Sequence, residues 1–429
     1  MRTIKYTDTD YSNWLEKLNR RSEASPEVRE TVFKVIEDIR RKGDEALIHY
    51  TEKFGGPKLE PSQIRVTDEE IAAAKKAISP KTRAALEASH RNVLAFAKKS
   101  LRQDWSSKNE QGVTVGERFL PFQRVGIYVP GGTAPLVSTA IMTCTLGQAA
   151  GVPEMVVTTP ADLSGKVNDA LLVALDLAGA TEIYRVGGAQ AIAALAYGTS
   201  SLKPVDKIFG PGNAYVVEAK RQTFGQVAID LLPGPSEVMV IADGSAPAAW
   251  IAADLLAQAE HGKGSATLFL TTSPDLAAEV EQAVEVQLQS LSRSSSLVPV
   301  LENNTFLIIT ENLEAAVEIA NGYAPEHLTI MVEGKEDQLA AKIRSAGAIF
   351  LGAHSPVAGG DFLAGPSHEL PTGGAGKSFP GLTVDQFQRR TSLVRFDAAS
   401  IAASAPIIET FGEIEGLDAH GRSATIRVS

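Results

Sequence analysis

Cysteine is almost absent from this sequence of 429 residues, with Cys144 the single example. An intrachain disulfide is therefore impossible, and a zinc cluster built on thiolates is excluded. Long apolar runs are missing as well. None approaches the roughly 20 residues needed to span a bilayer, and the opening Met1-Arg2-Thr3-Ile4-Lys5-Tyr6-Thr7-Asp8 lacks the apolar core of a signal peptide. A cytoplasmic protein with no membrane partner is expected. Positive charge is not in excess either: the formal net charge is -10, and basic clusters such as Arg40-Arg41-Lys42 and Arg389-Arg390 stay short. A nucleic-acid partner is not expected. Low-complexity tracts, short tandem repeats and the dinucleotide fingerprint G-x-G-x-x-G are all lacking.

What is present is ordinary globular composition, 44% hydrophobic and 21% charged, over a length that calls for two or more domains. From residue 125 onward short β-rich runs alternate with helical stretches. Strands are expected at 125–129, 155–158, 182–186 and 207–209, and helices at 138–151, 169–178, 189–197 and 214–222. A second set of strands is expected at 238–242, 267–270, 306–309, 328–332 and 348–351. This rhythm predicts two α/β domains with parallel sheets covered by helices. The residues before 120 read as mainly helical, with 69–97 dense in Ala, Lys and Glu. Residues 352–380 form a Gly- and Pro-rich segment with little periodicity, and a loop of that length inside a compact domain is usually functional. The last fifty residues read as a separate small unit.

Several groups of residues carry candidate chemistry. A helix over 248–261 places Gln258 and His261 on one face, where an amide oxygen and an imidazole can share a metal; an ordinary polar helix end is the alternative. Four of the seven histidines, His327, His354, His368 and His420, lie after residue 320, and histidine is the commonest metal ligand and the natural base near neutrality. Glu326-His327 puts an acid beside a base at a strand entrance, where both can reach a cleft; a surface ion pair explains it equally well. Asp361 sits between glycines in the long loop and offers a hard oxygen donor. Glu415 and His420 offer a carboxylate and an imidazole near the C-terminus, where an exposed tail is the default. The turns Pro130-Gly131-Gly132, Gly187-Gly188 and Gly210-Pro211-Gly212 each follow a strand and precede a helix, a setting that suits phosphate.

Eight blocks in order, 126–135 (GIYVPGGTAP), 186–194 (VGGAQAIAA), 210–221 (GPGNAYVVEAKR), 234–238 (GPSEV), 258–262 (QAEHG), 324–328 (APEHL), 360–372 (GDFLAGPSHELPT) and 415–420 (EGLDAH), resemble the histidinol dehydrogenase family from residue 120 to the C-terminus. The resemblance implies two incomplete Rossmann-like domains, small N- and C-terminal units and an intertwined homodimer with shared active sites. On that basis 1–25 is an N-terminal segment. Residues 26–124 and 238–381 form a first domain with the metal and catalytic residues, 125–237 a second, NAD-binding domain, and 382–429 a small unit reaching the partner subunit. The resemblance further implies one Zn2+ per subunit held by Gln258, His261, Asp361 and His420, and an acid–base pair Glu326 and His327. It places Tyr128, Gln190 and Asn213 around NAD. Ser236, Gln258, His261, His327, Asp361, His368, Glu415 and His420 surround the substrate, L-histidinol, which is oxidised through L-histidinal to L-histidine in the last steps of histidine biosynthesis.

The residues suggest how such chemistry would run. Alcohol oxidation needs a base for the hydroxyl proton, and His327 suits it. Aldehyde oxidation needs a nucleophile on the carbonyl. Cys144 lies in the apolar stretch Ala140-Ile141-Met142-Thr143-Cys144 and reads as a buried, inert thiol. Water is the expected nucleophile, with Glu326 as its base, and the zinc is expected to hold the substrate's nitrogens. A paralogue acting on another small alcohol, a zinc hydrolase with an open coordination position and a non-catalytic binding protein are the competing readings. Glu415 and His420 speak against the first, NADH formation separates the second, and the Glu326-His327 pair disfavours the third.

Overall fold

The structure is a computed structural model that describes residues 1–18, 24–131 and 136–428. Gly132 of the first glycine turn, with the rest of 132–135, lies outside the described residues. In chain order the strands are β1 (Arg2–Lys5), β2 (Trp105–Lys108), β3 (Thr114–Pro121), β4 (Arg124–Tyr128), β5 (Glu154–Thr158), β6 (Glu182–Tyr184), β7 (Lys207–Phe209), β8 (Ala228–Ile229), β9 (Glu237–Ala242), β10 (Ala266–Thr271), β11 (Thr305–Ile309), β12 (His327–Met331), β13 (Ala348–Leu351) and β14 (Gln388–Arg395).

Two parallel sheets carry the molecule, as expected. A five-stranded sheet runs β6-β5-β4-β7-β8, and a six-stranded sheet runs β1-β11-β10-β9-β12-β13. Every pairing within them is parallel, because each strand returns through a helix rather than a tight turn. Parallel sheets need both faces covered, so their central strands are buried. β4, β9 and β10 are buried along their whole length. Side chains alternate between two cores: Val238 and Val240 pack on one face of the six-stranded sheet, Met239 and Ile241 on the other.

The N-terminal third differs from the expected domain division. Helices Pro26–Lys42 and Asp44–Lys53 bury Val32, Val35, Ile39 and Leu47 against the same face of the five-stranded sheet as Ala191 and Ile192. Helix Pro80–Ser100 buries Val93 and Ala97 with Val125, Ile127 and Ile141 on the opposite face. Residues 26–100 thus complete the layers of the 125–237 unit rather than those of 238–381. The physical reason is coverage, since the helices that follow residue 125 leave room on each face. The N-terminal segment does the reverse: β1 pairs with β11 and extends the six-stranded sheet.

Two further details refine the expectation. The run 69–97 is two helices, Asp68–Ala77 and Pro80–Ser100, because Pro80 cannot continue a helix and Ser79 caps the second by accepting from the Thr82 N–H at 3.0 Å. The region before 120 and the C-terminal unit also share a three-stranded antiparallel sheet, β14-β3-β2. Within the C-terminal unit, helices Ala398–Glu415 and Asp418–Thr425 pack on each other.

Candidate active site

The five-stranded sheet has a topological switch between β4 and β7. From β4 the chain moves outward through β5 and β6, then crosses back to β7 and β8 on the other side. In such sheets ligands bind in the crevice outside the carboxyl ends of the strands at that point. Here the crevice is formed by Pro130 and Gly131 after β4 and by Gly210, Pro211 and Gly212 after β7. Gly210 has φ 110, and a Cβ on it would stand 2.1 Å from the Tyr128 carbonyl oxygen. Only glycine permits that turn. It is held from below by a buried ion pair: the Lys220 ammonium bonds the Gly210 carbonyl at 2.8 Å and Asp230, whose other oxygen accepts the Gly210 N–H at 2.7 Å.

The crevice opens into a cleft of about 570 Å³ that runs to the amino ends of the six-stranded sheet, where Ser236, His261, Glu326, His327, Asp361 and His368 line it. Helix Leu313–Tyr323 ends at Ala324, the one non-glycine residue with positive φ (57) among the described residues. Held strain of this kind clusters at functional sites. It turns the chain through Pro325 so that Glu326 and His327 enter β12 beside β9, with His327 opposite Val238.

Both side chains are anchored on the backbone of one residue, Glu237. The Glu237 N–H donates to Glu326 Oε2 at 2.7 Å, and His327 Nδ1–H donates to the Glu237 carbonyl at 3.1 Å. That bond leaves His327 Nε2 facing the cleft, 3.4 Å from Asp361 Oδ1. Burial raises the Glu326 pKa, opposed mainly by the positive charge of His327. Burial works against protonation of His327, but the carboxylates of Glu326 and Asp361 outweigh it and raise its pKa to about 9. Asp361 is also buried, and its neighbours His327, His368 and His261 overcome that burial and hold its pKa below the ordinary value. His368 Nδ1–H donates to the Asp361 carbonyl at 3.1 Å, so this imidazole props up the turn.

The expected residues fall into three groups. Ser236, His261, Glu326, His327, Asp361 and His368 come together in the cleft, with Gln258 buried at the end of helix Ala248–Ala259 and its Nε2 without a partner. The helix stops before His261, contrary to the expected 248–261 span, but the His261 N–H still bonds the Gln258 carbonyl at 3.2 Å, so the two remain one turn apart. Asp361 sits in a π-helical turn, Gly360–Ala364, a form frequent at functional sites. Tyr128 and Gln190 are buried behind the crevice, where the Gly188 N–H donates to the Tyr128 hydroxyl at 3.3 Å, and Asn213 is spent capping helix Ala214–Thr223. Glu415 and His420 are exposed on the C-terminal helices and do not line the cleft. Among the described residues, no group of three or more His, Cys, Asp or Glu side chains is arranged to hold a metal.

Sequence reasoning missed Glu237 and the Lys220–Asp230 pair. Glu237 lies inside the block GPSEV, but nothing in its type announces that its backbone would serve two side chains from β12.

The histidinol dehydrogenase family model matches residues 18–428. A histidinol dehydrogenase of Syntrophotalea carbinolica is 44% identical over 429 residues, covering 100% of this chain and 99% of that protein. One from Agrobacterium fabrum is 44% identical over 412 residues, covering 96% and 95%. The chain belongs to the histidinol dehydrogenase family. The crystal structure of histidinol dehydrogenase from Elizabethkingia anophelis superposes with a TM-score of 0.94 at 36% identity, covering 100% of this chain and 98% of that one. An acetylating aldehyde dehydrogenase from Geobacillus thermoglucosidasius shares the fold alone, with a TM-score of 0.50 at 16% identity. Histidinol dehydrogenases are oxidoreductases of histidine biosynthesis, and the reaction of the family is the NAD-dependent two-step oxidation of histidinol. Among the described residues no helix is long and apolar enough to cross a membrane.

Proposed function

We propose that this chain oxidises L-histidinol to L-histidine with the cleft residues in the following roles. The observation that carries the reading is the Glu326–His327 pair, anchored on the Glu237 backbone N–H and carbonyl at one end of a cleft whose other end is a sheet switch point. The turns at that switch point, at Gly131 and Gly210–Gly212, would hold NAD, which would supply the hydride acceptor for each step. The neutral form of His327 takes the hydroxyl proton at Nε2 in the alcohol step, and a cation held by Asp361 would favour that form by cancelling the carboxylate charge that helps raise the His327 pKa. In the aldehyde step Glu326 takes a proton from the water that adds to the carbonyl. A carboxyl raised by burial is closer to neutrality and so a better general base. Cys144 is fully buried and its thiol pKa is pushed far up by burial, so it supplies no thiolate.

The imidazole of His261 and the carboxylate of Asp361 line the cleft, Gln258 lies one turn before His261, and this donor set suits a divalent ion of the Zn2+, Mn2+ or Co2+ type. Such an ion would hold the substrate's nitrogen atoms in place. One chain supplies three of the four expected ligands. The fourth, His420, together with Glu415, would come from a second copy. The C-terminal unit supports this, because Phe411 at 59%, Ile414 at 74% and Val394 at 63% exposure leave it with apolar surface to dock. The test is turnover of histidinol with NAD. Two NADH per histidinol are expected, with activity lost on chelation and restored by zinc. No NADH from histidinol would overturn the reading.

A further inference from the structure

We propose that Asp254 is a positioning residue that aims the Gln258 amide and the Asp361 turn into the cleft. The proposal rests on the reading of Gln258, His261 and Asp361 as metal donors. Asp254 lies one helical turn before Gln258 on helix Ala248–Ala259, on the same face. The other buried residues of that helix, Gln258 apart, are Ile251, Ala252, Leu255, Leu256 and Ala259. A carboxylate among them costs stability unless it is satisfied, and burial raises its pKa to about 6. It therefore calls for a reason.

Two observations supply one. The Val357 backbone, at the first residue of the short helix Val357–Gly359, faces the Asp254 carboxyl and works against the pKa rise that burial causes. That helix runs straight into the turn Gly360–Ala364, which carries Asp361. Asp254 thereby ties the Gln258 helix to the Asp361 turn. Among the described residues Asp254 Oδ2 is buried without a hydrogen-bond partner, and so is Gln258 Nε2. One is an acceptor, the other a donor, and Asp–Gln pairs at this spacing bond along a helix. In the proposed arrangement these two atoms bond to each other. The bond leaves Gln258 Oε1, the only end of the amide able to bind a cation, as the free end. The arrangement is the amide counterpart of the carboxylates that orient metal-binding histidines.

The experiment titrates the metal-stripped full-length chain with Zn2+ against a chromophoric chelator, and records the melting temperature of each metal-free protein. Asp254→Asn keeps the shape and one acceptor for Val357, but sets an NH2 against the Gln258 NH2. The amide then inverts. Zinc affinity is expected to fall about 10–100-fold while the metal-free melting temperature stays close to wild type. Unchanged affinity overturns the proposal, and so does a loss of affinity matched by a loss of metal-free stability. Failure of the underlying reading looks different: His261→Ala then binds zinc as wild type does, or wild type binds none. Should Asp254→Asn not fold, the zinc-loaded wild-type crystal structure decides. Gln258 Nε2 within hydrogen-bond distance of Asp254 is expected, and an amide turned away from it overturns the proposal.

Discussion

Glu326 and His327 share the Glu237 backbone as anchor, yet the proposal gives them different steps. Glu326→Gln keeps an oxygen for the Glu237 N–H but cannot take a proton from water. Oxidation of histidinal should fall by about 10²–10⁴-fold, and oxidation of histidinol to histidinal far less. Feeding each substrate separately with NAD checks this, and an equal loss in both steps would refute the division of labour. Cys144→Ser should leave both steps and the two-NADH stoichiometry intact, because the thiol is sealed in the core between the sheet and helix Val137–Ala150. A covalent thiohemiacetal trapped on Cys144 would show the opposite.

Elements matter where strand ends carry the chemistry. The Gly210 turn after β7 forms one wall of the switch-point crevice, so Gly210→Ala should combine backbone strain of about 1–3 kcal/mol with a clash against the Tyr128 carbonyl. The expected result is a lower melting temperature together with weaker NAD binding by calorimetry. Gly151→Ala is the control, because its φ is also positive (78) but nothing lies within 4 Å; it should lose some stability and no NAD affinity. At the opposite, amino-terminal ends of the strands of the same sheet, Arg124 at the start of β4 binds Glu182 at the start of β6, 2.7 Å away. Arg124 is the main reason that the Glu182 pKa drops from 4.5 to about 2. A carboxylate with a depressed folded pKa stabilises above its unfolded value, and that contribution is lost as pH falls from 4.5 toward 2. Arg124→Met should therefore flatten the acid limb of the stability curve in that window, measured as urea midpoint against pH. An unchanged limb would place the acid sensitivity elsewhere.

At the scale of the whole molecule the open question is the fourth ligand. An isologous dimer would let each site take Gln258, His261 and Asp361 from one protomer and His420 from its partner. His261→Ala and His420→Ala chains should each be nearly inactive. Co-refolded in equal amounts, half the dimers are mixed, and each mixed dimer holds one intact site and one carrying both defects. Activity should return to roughly a quarter of wild type by that symmetry. Proven heterodimers with no recovered activity would mean that the sites are not shared.

Much was legible in the sequence because it is written in local pattern. The strand–helix rhythm after residue 125 announced both parallel sheets, since a strand buried on both faces reads as an unbroken apolar run, as Val238-Met239-Val240-Ile241 does. Glu326-His327, Asp361 and His368 stood out because titratable residues next to glycine or proline are few. What the sequence could not decide is which elements share a layer. Helices 26–42 and 80–100 are amphipathic in a way that fits any open face, and only the space left on the five-stranded sheet assigns them to it. The same holds for Glu237, whose backbone role depends on β12 lying beside β9 rather than on its own side chain. Chain pattern records what each residue can do. Tertiary packing decides which residues meet, because a parallel sheet orders its strands by crossovers that leave no local trace.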